Sequence, residues 1–536
     1  MSRRYDAVAI GSGINSLVAA ALLARAGWSV CVLERNDWLG GAIRTAEITE
    51  PGFVHEVLAS WHPLFTGSAA YAELKDELEA RGLDYLNTEL PTATLFPDGE
   101  SAFLTTDHEQ NVAALGPAWE RTVAEFMPNA DLAFGVLSTE LWSRDGAALG
   151  WKALRRLGRR GLVEFTGNVL VSARDWLTET FEDERARGLL APWVLHTGLG
   201  PDAASSGFMA QVIGVAVELG GMPVPRGGGV RLVEALAQIV RDAGGSLETE
   251  RDVARVVVSD GRATGVRTAD GEEVEAARVV LANVTPAQLY GELLGMDVPE
   301  ARRFRFGRGE MQIHYALSEP PRWRGDERLG RTAIVHLTPG LDGVSRAVNE
   351  AERGLLPAVA TVVVGQPMVV DPSRAPEGRW ILWVQLQEVP SRPKGDAAGE
   401  LDSVINAGDG TWTEELRERY ADRIQARIGA HAPNFESSIL RRVVLSPADI
   451  EALNPNMPGG DIYSGSCALD QNLLWRPRPS LPGHRTSVER LWHIGASTHP
   501  GPGLGAGSGT LVAKELLRPT LAERMSGMAK SIRSPR

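Results

Sequence analysis

The chain has 536 residues, with 55 Lys or Arg against 68 Asp or Glu, so its formal net charge is 55 − 68 = −13 with histidines neutral. That acidity argues against a nucleic-acid partner, and 43% apolar residues over this length supply a large core split into two or three lobes. Only Cys31 and Cys467 are present, which leaves no disulfide scaffold, C-x-x-C redox pair or cysteine metal site.

Two cysteines fit a reducing compartment, and the charged start Arg3-Arg4-Tyr5-Asp6 lacks the apolar region of an export signal, so a cytoplasmic location is expected. No window reaches the roughly 18 uninterrupted apolar residues of a spanning helix.

From Tyr5 to Glu34 the pattern reads as a βαβ unit. A strand ending Ala7-Val8-Ala9-Ile10 runs into Gly11-Ser12-Gly13-Ile14-Asn15-Ser16. A small-residue helix from Leu17 to Ala26 and a second strand, Ser29 to Leu33, follow. Gly11 permits the tight turn, Gly13 lets a pyrophosphate approach the backbone, and the helix N-terminus faces the phosphates. Ser16 stands where a third glycine is usual. Glu34, 34 − 13 = 21 residues after Gly13, ends the second strand, where a carboxylate accepts ribose hydroxyls. A second glycine pair, Gly40-Gly41, follows the acid within ten residues.

The stretch from 71 to 221 reads as helical, with helices at 131–143, 151–161 and 173–190. Pro225-Arg226-Gly227-Gly228-Gly229 then opens a helix whose apolar face carries Val230, Val233, Leu236, Ala237 and Val240. Asp260-Gly261 and Asp270-Gly271 mark hairpin turns, and Val279 to Ala282 reads as a buried strand ending at Asn283. Strands are expected at 311–317, 358–364 and 380–389. Near the C-terminus a strand through Gly495 enters the glycine-dense loop Gly501 to Gly509 and then a helix.

These segments together resemble the phytoene desaturase-like FAD-dependent oxidoreductases, in particular the branch of pyridine nucleotide-disulphide oxidoreductase domain-containing proteins. The residues carrying the resemblance are Gly11 to Leu17, Gly40-Gly41, Pro225 to Gly229, Gly460 to Tyr463 with Leu469 to Gln471, Arg476-Pro477 and Thr498 to Gly501. The resemblance implies an α/β fold, a glutathione reductase-type FAD-binding Rossmann domain interleaved with an α+β substrate-binding lobe. It divides the chain into FAD-binding parts at 1–70, 222–290 and 486–520 and substrate-lobe parts at 71–221 (helical) and 291–485 (sheet). Residues 521–536 form a basic tail expected to be disordered.

FAD is the cofactor implied, held by Gly11, Gly13, Asn15, Ser16, Glu34, Arg35, Gly40, Gly41, Arg44, Val253, Gly495, Gly503 and Leu504. Gly40-Gly41 resembles the R-x-G-G element of flavoproteins, with Ala42 and Ile43 intervening before Arg44, and Val253 stands where relatives offer backbone to adenine. The helix after the last glycine loop would face the flavin N1 and C2 carbonyl. All four glycine clusters, the one at 227–229 included, are expected to pass close to the cofactor.

The implied reaction is hydride transfer from an apolar or isoprenoid-like small molecule to flavin N5, with C–C desaturation first. Amine oxidation, polyene saturation and a catalytically quiet flavin-bound interaction protein are the alternatives. His499, His55 and His62 are the candidates for proton management, whereas His196 and His314 read as satisfied core histidines. Trp475, Tyr315 and Ser464 are expected at the substrate cavity; relatives often carry histidine where Ser464 stands. No metal site is read. The basic stretch from Trp151 to Arg160 reads first as a solvated helix over the core, with a peripheral membrane contact as the alternative that its interfacial composition allows.

Overall fold

The computed structural model describes residues 3–405, 408–478 and 480–519; the expected tail lies outside them. Its first sheet is parallel at its centre. Leu491–Ile494, Glu273–Asn283, Arg3–Ile10, Val30–Leu33 and Ser246–Glu248 lie side by side in that order. Their apolar runs are buried on both faces, as a sheet covered by helices requires. The antiparallel hairpin Val253–Ser259 and Arg262–Thr268 attaches to the early part of Glu273–Asn283.

The helix Ile14–Arg25 is buried along nearly its whole length. Ala19-Ala20-Ala21 make it thin enough to sit in one core with the sheet and with the helices Val230–Asp242 and Gly507–Leu516.

A second sheet of seven strands runs Ile439–Leu445, Gly309–Leu317, Trp380–Val389, Val362–Gly365, Ile334–Leu337, Thr92–Leu95 and Ser101–Leu104. All neighbours are antiparallel except Thr92–Leu95 beside Ile334–Leu337. The stretch expected to be helical therefore donates two strands to this sheet. Met311, Ile313, Tyr315 and Leu317 alternate into a core with Leu382, Val384, Leu386 and the helix Glu414–His431. The residues between them face the other way.

The helical segments differ from the sequence reading in their breaks. The span 173–190 divides into Ala173–Thr180 and Glu184–Leu190, because Asp183 caps the second helix by accepting the Arg185 amide. The basic stretch belongs to a longer helical segment, Arg144–Leu170, interrupted at Gly158 with φ +67°. Among the described residues no helix is long and apolar enough to cross a membrane.

Candidate functional site

The loop 11–16 leaves the first strand at its carboxyl end, beside the ends of Glu273–Asn283 and Leu491–Ile494, where parallel sheets bind ligands. Neither Ile14–Arg25 nor Gly507–Leu516 is capped by the side chain of its own N-cap residue. The two ends are tied together: the Gly509 amide donates to Asn15 Oδ1 at 3.0 Å. Asn283 completes the junction, with its Nδ2 donating to Ser16 Oγ at 3.0 Å and its side chain filling the space where a Cβ on Gly495 would lie. Gly40 closes the other side through its amide to Ser12 Oγ and a bridge to Gly13.

Glu34 is buried at the end of the second strand. Its Oε2 accepts from the Ser12 amide and hydroxyl, at 2.8 and 2.7 Å, and its Oε1 accepts from the Asn36 amide at 3.0 Å. It pairs with no cation among the described residues. A carboxylate so placed, two helix ends and a backbone junction with no room for side chains fit an extended dinucleotide.

The third glycine cluster does not fit that use. The Gly229 amide donates to Glu56 Oε1 at 2.7 Å, the Gly227 amide to Asp371 Oδ2 at 2.7 Å and the Val230 amide to Thr45 Oγ1. Arg374 joins both acids, with Nη1 on Glu56 and Nε on Asp371. This buried cluster supplies the anion the helix end would otherwise seek, so those N–H groups are spent inside the protein, beside Ile43 and Thr45.

Beside the dinucleotide junction, the segment 55–61 packs against the outward face of the second sheet. His314 Nε2 donates to the Val57 carbonyl and Trp383 Nε1 to the Leu58 carbonyl. His55 meets His314 edge-on, with centroids 5.4 Å apart, and its Nε2 meets Thr49 Oγ1 at 2.7 Å. Several buried polar atoms here have no partner: His55 Nδ1, His314 Nδ1, Trp61 Nε1, and one oxygen each of Glu310, Gln312 and Gln387. Native interiors leave few such atoms, and a ligand or buried water completes their hydrogen bonding.

Burial sets the protonation here. It pushes His55 down to about 2, with help from His314 and Arg374, His62 to about 3 and His314 to about 4. It pushes the Glu310 carboxyl up to about 8. All three imidazoles are neutral near pH 7 and Glu310 holds its proton.

The chain matches the model of the flavin containing amine oxidoreductase family over residues 17–293. It is 30% identical to mouse pyridine nucleotide-disulfide oxidoreductase domain-containing protein 2, covering 96% of this chain and 93% of that protein. It is 28% identical to the hydroxyneurosporene desaturase of Cereibacter sphaeroides, covering 95% and 97%. The fold matches an oxidoreductase from Methanosarcina mazei with a TM-score of 0.60 at 16% identity, covering 95% of this chain and 99% of that one.

The chain belongs to the flavin containing amine oxidoreductase family. As a member of it, the protein is an FAD-dependent oxidoreductase acting on a small molecule.

Within this family fold the residues singled out from the sequence fall in different places. Gly11, Gly13, Asn15, Ser16, Glu34, Gly40, Gly41 and Gly495 surround one junction. Arg35 is exposed just after Glu34, and Arg44 stacks its guanidinium 3.8 Å above the Trp38 ring. Val253 opens its strand two residues after Arg251, whose amide bonds the Glu34 carbonyl. Gly503 and Leu504 lie in the loop before Gly507–Leu516, with Leu504 against the core of the first sheet.

His55 joins the polar seam, whereas His62 turns its Nδ1 to the Tyr85 hydroxyl at 2.9 Å. His499 is buried, and its electrostatic neighbours are His484 and Glu140. It shares no hydrogen bond or ring contact with His55 or His62 among the described residues. His196 is paired with His336, Nε2 to Nε2 at 3.2 Å.

Two cavity candidates lie away from the seam. Tyr315 points into the opposite core, edge-on to Phe435, because one residue along a strand reverses the face. Trp475 is 36% exposed in a surface groove with Ala203 and Leu469, since the turn Leu473–Trp475 runs outward before the buried Arg476. Ser464 is buried with φ +51°, and its carbonyl accepts from Ser497 Oγ at 2.7 Å in the last glycine loop.

The sequence reading missed Glu310, Gln312, Gln385 and Gln387. Their signal was polarity at every second position of two otherwise apolar strands.

Proposed function

We propose that this oxidoreductase desaturates a C–C bond in an apolar or isoprenoid-like substrate lying along the buried face of the second sheet. The observation that carries this reading is the seam between that face and the segment 55–61, which continues directly from Gly40-Gly41 and Arg44. The similarity to a desaturase over nearly the whole chain supports it.

FAD would lie across the junction of the two helix ends, with Glu34 on its ribose and Gly40-Gly41, Arg44 and the loop 495–504 along its length. Val253 and Arg35 would border the adenosine end. When bound, FAD supplies a hydride acceptor at N5. The protein's part is to orient the substrate C–H bond and to exclude water with the apolar walls around Trp383 and Trp193. Neutral His55 and His314 would each offer an unpartnered Nδ1 to orient the substrate, burial making both weak bases; His499 would act from the loop behind the flavin.

The division into FAD-binding parts at 1–70, 222–290 and 486–520, with a substrate lobe between them, belongs to the same reading. Anaerobic mixing with an isoprenoid substrate is expected to bleach the flavin and yield a product two hydrogens lighter. Bleaching only by amines, with release of ammonia, would favour amine oxidation. No bleaching by either class would favour a flavin-bound interaction protein.

The helical segment Arg144–Leu170 also meets anionic lipid in this reading, as the contact of a cytoplasmic protein with a membrane surface. It carries six cations against two acids in a chain of net charge −13. Trp151 is 61% exposed, and Arg155 and Arg159 make no ion pair among the described residues. Sedimentation with anionic vesicles at low salt, reversed by high salt, is the expected result. Equal recovery with neutral vesicles would contradict it.

A further inference from the structure

One end of the polar seam holds more acceptors than a hydrocarbon uses. Gln312 and Gln385 are direct partners across the two central strands, and Glu310 and Gln387 lie on the same face. All four are buried. Gln385 Nε2 donates to Glu310 Oε2 at 2.7 Å, and Gln312 Nε2 reaches the same oxygen at 3.4 Å. Gln387 Nε2 donates to the Tyr463 hydroxyl at 3.0 Å, which donates onward to the Leu195 carbonyl at 2.7 Å.

One N–H of each amide is thus used, Oε1 of Gln312 and Gln387 accepts from nothing, and Oε1 of Glu310 is the oxygen left to carry the carboxyl proton because Oε2 takes both amide donors. Among the described residues no Lys or Arg forms an ion pair with Glu310. On the opposite face of the same strand stand Met311 and Ile313, so packing alone does not call for polarity here.

The cluster is tied to the reacting region on both sides. Tyr463 precedes Ser464, whose carbonyl holds Ser497 of the last glycine loop. His314, two residues beyond Gln312 on the same face, holds the Val57 carbonyl.

We propose that Glu310, Gln312 and Gln387 seat a hydrogen-bond-donating head group, an alcohol or an amine, at one end of an otherwise apolar substrate. The inference rests on the substrate placement proposed above and adds the class of its polar end. A hydroxyl or amino group accepts from the Glu310 O–H and donates to the free Gln312 and Gln387 oxygens. An ether or carboxylate accepts from Glu310 but leaves both amide oxygens unfilled, and a hydrocarbon leaves all three atoms unfilled.

The test is calorimetric binding to the FAD-loaded protein of four probes with one chain length: 1-octanol, octylamine, 1-methoxyoctane and octanoate. Octanol, octylamine or both are expected to bind at least about tenfold tighter than the ether and octanoate, a difference of about 1.4 kcal/mol. The two arms separate a neutral head group from a cationic one.

Glu310→Met is expected to weaken alcohol and ether binding together, because both accept from the carboxyl O–H, and to keep or raise the melting temperature, because a buried carboxyl is replaced by an apolar chain. Gln387→Leu is expected to weaken the preference in part, which keeps the test decisive if the first variant folds poorly. Equal binding of ether and alcohol in the parent protein overturns the proposal, as that is the result if only water fills the acceptors. So does a preference undiminished by Gln387→Leu. Because the readout is binding, head-group preference can fail while flavin bleaching succeeds, or the reverse.

Discussion

Gly509 and Asn15 meet across the first turns of two helices drawn from opposite ends of the chain, with the Gly509 amide donating to Asn15 Oδ1 at 3.0 Å. A Cβ on Gly509 would overlap the Asn15 carbonyl oxygen. This contact sets the spacing of the two helix ends, and hence the point at which both dipoles converge on one anionic ligand.

Gly509→Ala is therefore expected to push the two helices apart and weaken FAD retention at least about tenfold, with a stability loss of order 2 kcal/mol. Flavin absorbance after desalting, together with thermal unfolding, reads both effects. Full flavin content in the variant would contradict the role given to this junction.

Glu34 tests the other end of the cofactor. Its oxygens hold the Ser12 and Asn36 amides, so Glu34→Gln keeps the shape and removes the charge. FAD affinity is expected to fall about tenfold to a hundredfold, as for loss of a charge-assisted hydrogen bond of about 1.5–3 kcal/mol. Fluorescence titration of apoprotein with FAD measures it, and an unchanged Kd would remove Glu34 from the ribose site.

Glu56, Asp371 and Arg374 are buried together at the start of Val230–Asp242. Glu56→Gln leaves the guanidinium with one acid and the Gly229 amide with a weaker acceptor, and is expected to cost about 3–5 kcal/mol. Glu56→Gln combined with Arg374→Met is expected to recover part of that loss, because the uncompensated charge is gone. Urea unfolding of the three proteins decides; strictly additive losses would show that the charges are not coupled.

Stability should fall on mild acidification. His55, His62, His314 and His499 are pushed by burial to about 2, 3, 4 and 4, against 6.5 for an exposed imidazole. Below pH 6.5 the unfolded chain takes up protons that the folded chain refuses. Their stabilisation is thus complete above 6.5 and lost progressively as pH falls toward the folded values. Each such histidine costs about 2 kcal/mol between pH 7 and pH 5. Melting temperatures across that interval should drop, and His314→Gln should flatten the slope. A slope unchanged by His314→Gln would mean that this ring titrates freely.

What could be read from the sequence was what is local. The loop 11–16, its helix and Glu34 lie within one βαβ unit, so spacing alone located them. Glu56 and Arg374 are 318 positions apart. Nothing near Gly227 to Gly229 announced that the protein's own acids would occupy that helix end, and the glycine pattern read the same as a cofactor loop. His314 and Tyr315 show a finer limit. The strand was placed correctly, but which of two neighbours faces the site depends on which side the helix Glu414–His431 covers. The alternation of Glu310, Gln312 and His314 between apolar residues was visible, yet an alternating strand reads equally as one with a solvent face; here the polar face is buried.

The most direct test of the account is anaerobic titration of the purified protein with an isoprenoid alcohol, followed by visible absorbance and by the mass of the product. The account predicts a yellow protein whose bound FAD is bleached by one equivalent of substrate, with a product two hydrogens lighter. A colourless protein that takes up no FAD, or a bound flavin left oxidised by every such substrate, would contradict it.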